Sequence, residues 1–133
     1  MDNSKERLHD VFFYGLYMDP ILLEQKGVEP RNARIALAEN YELRIGNKAT
    51  LLRAVGKQAH GIVYSLTHDE VYSLYWGAGF DDYASEAVMV RIGDEAIPVL
   101  CCNLIEPPAE DESNFEYERN LRAAMLRLGV PIS

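Results

Sequence analysis

The sequence predicts an α+β fold, a small mixed β-barrel of about six strands with three short helices. Three observations predict it. Strand-like runs outnumber helical ones, and the two do not alternate as a doubly wound parallel sheet requires. The length of 133 residues and a hydrophobic content of 48% suit one domain over 1–133 that closes its core without disulfides or metals. No repeat, linker or low-complexity segment interrupts the chain.

The first element is the aromatic and β-branched run Val11-Phe12-Phe13-Tyr14, ended by Gly15 and read as a buried strand. Asp19 then offers a helix N-cap, Pro20 suits the first helical position, Ile21-Leu22-Leu23 give an apolar face, and Gly27 stops the helix. From Ala33 to Ile45 the chain favours strand, with Tyr41, Leu43 and Ile45 on one face and Glu42 and Arg44 on the other. Gly46-Asn47 turns it, and Ala49 to Arg53 and Gln58 to Leu66 read as the next two strands.

Thr67-His68-Asp69-Glu70 has the spacing of a capping box, so a helix is expected from there to about Trp76, ended by Gly77 and Gly79. Ser85 to Ile92 and Ala96 to Leu104 form a hairpin through Gly93-Asp94. Pro107, Pro108 and the acidic run Glu110 to Glu112 mark a solvated loop before a last helix, Phe115 to Leu128, stopped by Gly129 and Pro131.

Thirteen basic against twenty-one acidic side chains give a net charge of -8, a field that repels phosphate backbones and anionic lipid surfaces. No nucleic acid and no membrane partner is expected. The polar opening Met1 to Asp10 lacks the apolar centre of a secretory signal, and the location expected is cytoplasmic. Cys101 and Cys102 are adjacent in a strand-like run and point to opposite faces, so one thiol packs in the core and neither pairs with the other. His9, His60 and His68 are dispersed along the chain, and no metal site, cofactor or nucleophilic triad is read.

The loop Tyr14-Gly15-Leu16-Tyr17-Met18 before Asp19-Pro20 resembles the Tyr-Gly-Ser signature that opens γ-glutamylcyclotransferase-like proteins. Tyr41 to Ile45, Gly61 to Leu66, Thr67 to Leu74, Tyr83 and Leu128-Gly129-Val130-Pro131 are similar to later family elements, in the same order. The resemblance implies a barrel with a pocket at its mouth, where γ-glutamyl amines cyclise to 5-oxoproline by attack of their own α-amine on the γ-carbonyl. Such a site grips the α-carboxylate, supplies a base for the amine and excludes water. It implies that the loop amides grip the anion and that a glutamate at the end of the Thr67-type helix is the base.

Here that helix end reads Leu74-Tyr75-Trp76-Gly77-Ala78-Gly79, and Ala78 holds the glutamate position. A methyl group transfers no proton. Leu16 also replaces the loop serine, Tyr75 an aspartate, and Ser85 the arginine of many members. The resemblance thus implies ligand contacts from Tyr14, Gly15, Leu16, Tyr17, Met18, Ala78 and Tyr83. Trp76 and Phe80 read as packing residues.

Three readings stay open at this level. One is a catalytically impaired protein that binds a small acidic metabolite, γ-glutamyl, amino-acid-like or 5-oxoproline-like. The second is an active cyclotransferase or related acyl-shift enzyme with a relocated carboxylate, for which Glu86 is better placed than Asp81 or Asp82. The third is a structural or regulatory homodimer without a ligand. A carboxylate directed into the pocket favours the second, a polar pocket without one favours the first, and a pocket filled by Leu16 and Tyr17 favours the third.

Overall fold

In the computed structural model, residues 4–76 and 82–132 are described, with the Trp76 side chain set aside. The described elements follow the order β1 (Leu8–Phe13), one 3-10 turn (Leu16–Met18), α1 (Pro20–Gln25), β2 (Arg31–Ile45), β3 (Ala49–Thr67), α2 (His68–Trp76), β4 (Tyr83–Ile92), β5 (Glu95–Leu104) and α3 (Phe115–Leu128). Five strands close on themselves in the order β1-β3-β2-β4-β5. The neighbours are antiparallel except β1 and β5, whose parallel contact at Val11 and Leu100 makes the barrel mixed.

The strand count differs from the expected six because Ala49 to Leu66 is one element. Gly56, between the two expected strands, takes φ +84° inside a bulge and donates its N–H to Asn40 Oδ1 at 3.1 Å. Pairing runs Glu39 to Gln58, then resumes at Tyr41 and Arg53, so four residues of β3 oppose the single Asn40. Side-chain capping replaces the ladder bond that the bulge removes, and the strand continues.

Alternation along the strands separates two cores. Inside the barrel lie Phe12, Ala36, Ala38, Ala59, Val63, Val88, Val90, Val99 and Cys101, drawn from all five strands. The many alanines suit a narrow five-stranded interior. Gly61 serves the same end, since a Cβ there would sit 2.3 Å from the Phe13 carbonyl and 2.8 Å from the Phe12 ring. Outside the wall, Val11, Phe13, Ile62, Tyr64 and Leu66 pack against Leu23 of α1, Leu74 of α2, and Leu121 and Met125 of α3.

The helix ends obey the signals in the sequence. Asp19 Oδ1 accepts from Ile21 N at 3.0 Å with Pro20 at the first position. Thr67 and Glu70 exchange the two capping-box bonds, at 3.1 and 2.8 Å. Asn114 caps α3, and Gly129 ends it in the left-handed region at φ 75° with Val130 N bonded back to Met125 O. An ion pair between Arg127 and Asp19 joins the end of α3 to the start of α1.

Candidate functional site

Where β1 leaves the barrel, the chain turns through Tyr14 and Gly15 into the 3-10 turn, while the β2–β3 turn at Asn47 and Lys48 and the end of α2 come alongside. A cavity of about 460 Å³ lies between them. Tyr14, Gly15, Leu16, Tyr17 and Tyr83, all expected ligand contacts, line it. Tyr75, which stands where the resemblance puts an aspartate, lines it too, as do Tyr117, Lys26, Lys48 and Cys102, which the sequence reading did not single out for the site. Leu16 and Tyr17 therefore form its wall and do not fill it.

One expected contact, Met18, and the possible relocated base, Glu86, stand elsewhere. Met18 is fully buried, and its carbonyl accepts the Tyr64 hydroxyl at 2.7 Å, so it anchors the loop to β3. Glu86 is exposed on β4 opposite Cys101 and does not line the cavity. Ala78, with Phe80 and Asp81, lies outside the described residues. Asp82 forms an ion pair with Lys48 at the cavity rim.

The loop amides are partly committed. Leu16 N donates to the Tyr117 hydroxyl at 3.1 Å and Met18 N to the Gly15 carbonyl at 2.9 Å, so neither of these amides is open to an incoming anion. The backbone of Gly15, at φ -112° and ψ -157°, is extended and open to any residue. Its glycine is required by Tyr117 instead, because a Cβ at position 15 would stand 2.4 Å from that phenol oxygen.

Five tyrosines make the wall phenolic, and their protons are assigned unequally. Tyr14 donates to the Cys102 carbonyl at 2.7 Å and Tyr83 to the Ala49 carbonyl at 2.9 Å. Burial pushes Tyr83 up to about 12 and Tyr14, Tyr75 and Tyr117 upward as well, so these phenols are neutral donors at physiological pH. Burial likewise lifts the Cys102 thiol to about 11, beside the hydroxyls of Ser85 and Tyr75. Among the described residues no carboxylate lines the cavity, and Lys26 and Lys48 are its cations.

The histidines are not all apart in space. His9 Nε2 lies 3.3 Å from His68 Nδ1, and Arg7 Nη2 lies 3.1 Å from the same nitrogen. Pairing of Leu8 with Thr67 across β1 and β3 brings together residues 59 positions apart. Among the described residues no group of three or more metal-ligating side chains forms, and no helix is long and apolar enough to cross a membrane.

No family model matches the chain. No curated protein matches it. Among solved structures it superposes on a gamma-glutamyl cyclotransferase with a TM-score of 0.79 and 17% identity, over 95% of this chain and 83% of that one. YkqA from Bacillus subtilis matches with a TM-score of 0.77 and 20% identity over 91% of this chain; the chain spans about half, 49%, of YkqA's length. An uncharacterized human protein matches with a TM-score of 0.76 and 18% identity over 96% of this chain and 83% of that one. At such identities the shared property is the path of the backbone. The chain has the γ-glutamylcyclotransferase-like fold.

Proposed function

We propose that the protein binds a small acidic metabolite, γ-glutamyl, amino-acid-like or 5-oxoproline-like, in the cavity beside the Tyr14 to Met18 loop, and that it has little or no cyclotransferase activity. The observation that carries the reading is the chemistry of the wall: neutral phenols, of which Tyr14 and Tyr83 already donate to backbone carbonyls, with Lys26 and the Asp82-paired Lys48, and no carboxylate among the described lining residues. Such a surface offers hydrogen-bond donors and lysines but no carboxylate, which favours ligands of net negative charge, 5-oxoproline above all since it carries no ammonium group, over cationic ones. The net charge of -8 opposes anions only at long range. It is screened beyond about 8 Å at physiological salt, inside which Lys26 and the Lys48–Asp82 pair stand closest to the ligand.

Ala78 in the glutamate position supports the catalytic half of the reading, because loss of a general base typically removes about 10²–10⁴-fold in rate. The relocated carboxylate gains no support from Glu86, which stands outside the cavity wall. A thermal-shift and calorimetric series with γ-glutamyl dipeptides, 5-oxoproline and aminoacyl amides tests the binding half, since a ligand of the native state raises its melting temperature. Stabilisation by 5-oxoproline or a γ-glutamyl dipeptide is expected. No stabilisation by any acidic member, or robust 5-oxoproline release abolished by Glu86→Gln, would overturn the reading.

A further inference from the structure

The His9 and His68 rings, brought together by the ladder between β1 and β3, take no part in the cavity wall. His9 is half-buried on β1, and His68 is the exposed first residue of α2. The ring centroids stand 5.4 Å apart with the planes tilted by 51°, and His9 Nε2 lies 3.3 Å from His68 Nδ1. Arg7 Nη2 approaches that same Nδ1 at 3.1 Å. A guanidinium only donates, so this nitrogen carries a lone pair and no proton. Neutral imidazole has one proton on either of its two nitrogens, and with the His9 proton on Nδ1 the Nε2 lone pair faces the same point. Burial, with His68 and Arg7 beside it, lowers the His9 pKa and keeps that ring neutral at physiological pH.

We infer that His9 Nε2 and His68 Nδ1 form a two-histidine site for a divalent transition-metal ion of the zinc, nickel and copper class. A tetrahedral ion takes imidazole nitrogens at about 2.0–2.1 Å, which sets two of them about 3.3–3.4 Å apart. The rings already stand at that spacing, 3.3 Å. Arg7 marks the place, since its guanidinium is a cation turned to the shared nitrogen, and the ion replaces it as the side chain swings into solvent. Among the described residues no third protein ligand joins the pair, so water completes the coordination. Imidazole ligands suit the transition ions, whereas Mg²⁺ and Ca²⁺ want oxygen and are refused. The ion clasps the start of β1 to the start of α2, the helix whose far end carries Tyr75 to the cavity wall. Such a site needs nothing from the cavity or its ligand.

Tag-free protein titrated calorimetrically with Zn²⁺, Ni²⁺ and Cu²⁺ is expected to take one equivalent of each, Cu²⁺ most tightly, and to melt higher with each ion. His9→Asn and His68→Asn should each weaken binding by at least about 10-fold, the loss that a disturbed ligand alone brings. His60→Asn, at the third histidine, should leave it unchanged, and Arg7→Ala should tighten it by removing the competing cation. Electron paramagnetic resonance of the Cu²⁺ complex should show two coupled imidazole nitrogens in wild type and one in each of the His9 and His68 variants. No uptake of any of the three ions, binding unchanged in His9→Asn or His68→Asn, binding lost in His60→Asn, or weaker binding in Arg7→Ala would overturn the site. Should a His9 or His68 variant not fold, the nitrogen count on wild type decides, and fewer than two coupled nitrogens would refute the pair as ligands.

Discussion

The Tyr14 hydroxyl donates to the Cys102 carbonyl at 2.7 Å and lies 3.3 Å from the Ala49 carbonyl, tying the end of β1 to β5 and to the start of β3. One phenol thus holds three strands together at the cavity floor. Tyr14→Phe keeps the ring and leaves buried carbonyls short of a donor, at a cost of about 1–3 kcal/mol. For a domain of this size a melting temperature lower by roughly 3–10 °C is expected in calorimetry. An unchanged melting temperature would show that water replaces the hydroxyl.

Glu70 gives a pH dependence with a definite sign. Burial of its carboxylate works to raise the pKa, but hydrogen bonds from Arg31 and from the amides of Glu29 and Thr67 outweigh it and bring the value down to about 2. A depressed pKa means stability that is present above the ordinary value of 4.5 and is lost as pH falls from there through about 2. Urea midpoints measured from pH 6 to 2 should fall less steeply over that window in Glu70→Gln than in wild type. The variant should also be less stable at pH 7, by about 1 kcal/mol or more for the weakened cap. Parallel slopes for the two proteins would remove Glu70 from the acid response.

Cys101 and Cys102 are both free and buried, and burial is the main force raising both thiols, Cys102 to about 11. The thiolate is the reactive form, and exposure controls access to it. Alkylation by iodoacetamide at pH 8 is expected to be at least about 100-fold slower in the native protein than in urea. Fast modification of one thiol in the native state would mark Cys102, the one on the cavity wall, as accessible.

Ala78→Glu asks whether the missing base is the only obstacle to cyclotransferase chemistry. The resemblance makes position 78 that of the family's base, where partial desolvation is expected to raise a carboxyl group from its ordinary value of about 4.3 toward the range of a general base. Leu16 lacks the family's loop hydroxyl, and a misplacement of an ångström can itself cost about 10²-fold. Weak 5-oxoproline release from γ-glutamyl amino acids is expected in Ala78→Glu and more with Leu16→Ser added. Equal and near-zero rates in wild type and both variants, with circular dichroism intact, would show that restoring these groups does not restore the chemistry.

Local signals in the sequence located the helices well, because caps act over four residues: Asp19-Pro20, the Thr67-Glu70 box and Gly129 each stand where the helices begin or end. The hairpin through Gly93-Asp94 was equally legible, since Ile92 pairs with Glu95. The bulge at Gly56 was not, because its partner Asn40 is distant in sequence. Tyr14, Gly15, Leu16, Tyr17 and Tyr83 announced themselves by motif or resemblance. Tyr117 and Lys48 reach the cavity only through tertiary packing, which no local spacing encodes. The closeness of His9 to His68 was hidden for the same reason.

The bulge between Asn40 and Gly56 also governs how this cavity can change over evolution. The rim residues Asn47 and Lys48 ride on the outer arm of the β2–β3 hairpin, beyond the point where the ladder is interrupted. A strand pair can be lengthened or shortened two residues at a time without exchanging its faces, whereas a single insertion turns every side chain over. Paired insertions in that arm would keep its faces but displace Ala49 and Leu51, which are buried with Ala36, Ala38 and Ala59 in the barrel interior. One arm therefore carries both the lysine rim and part of the core, and the two can change only together.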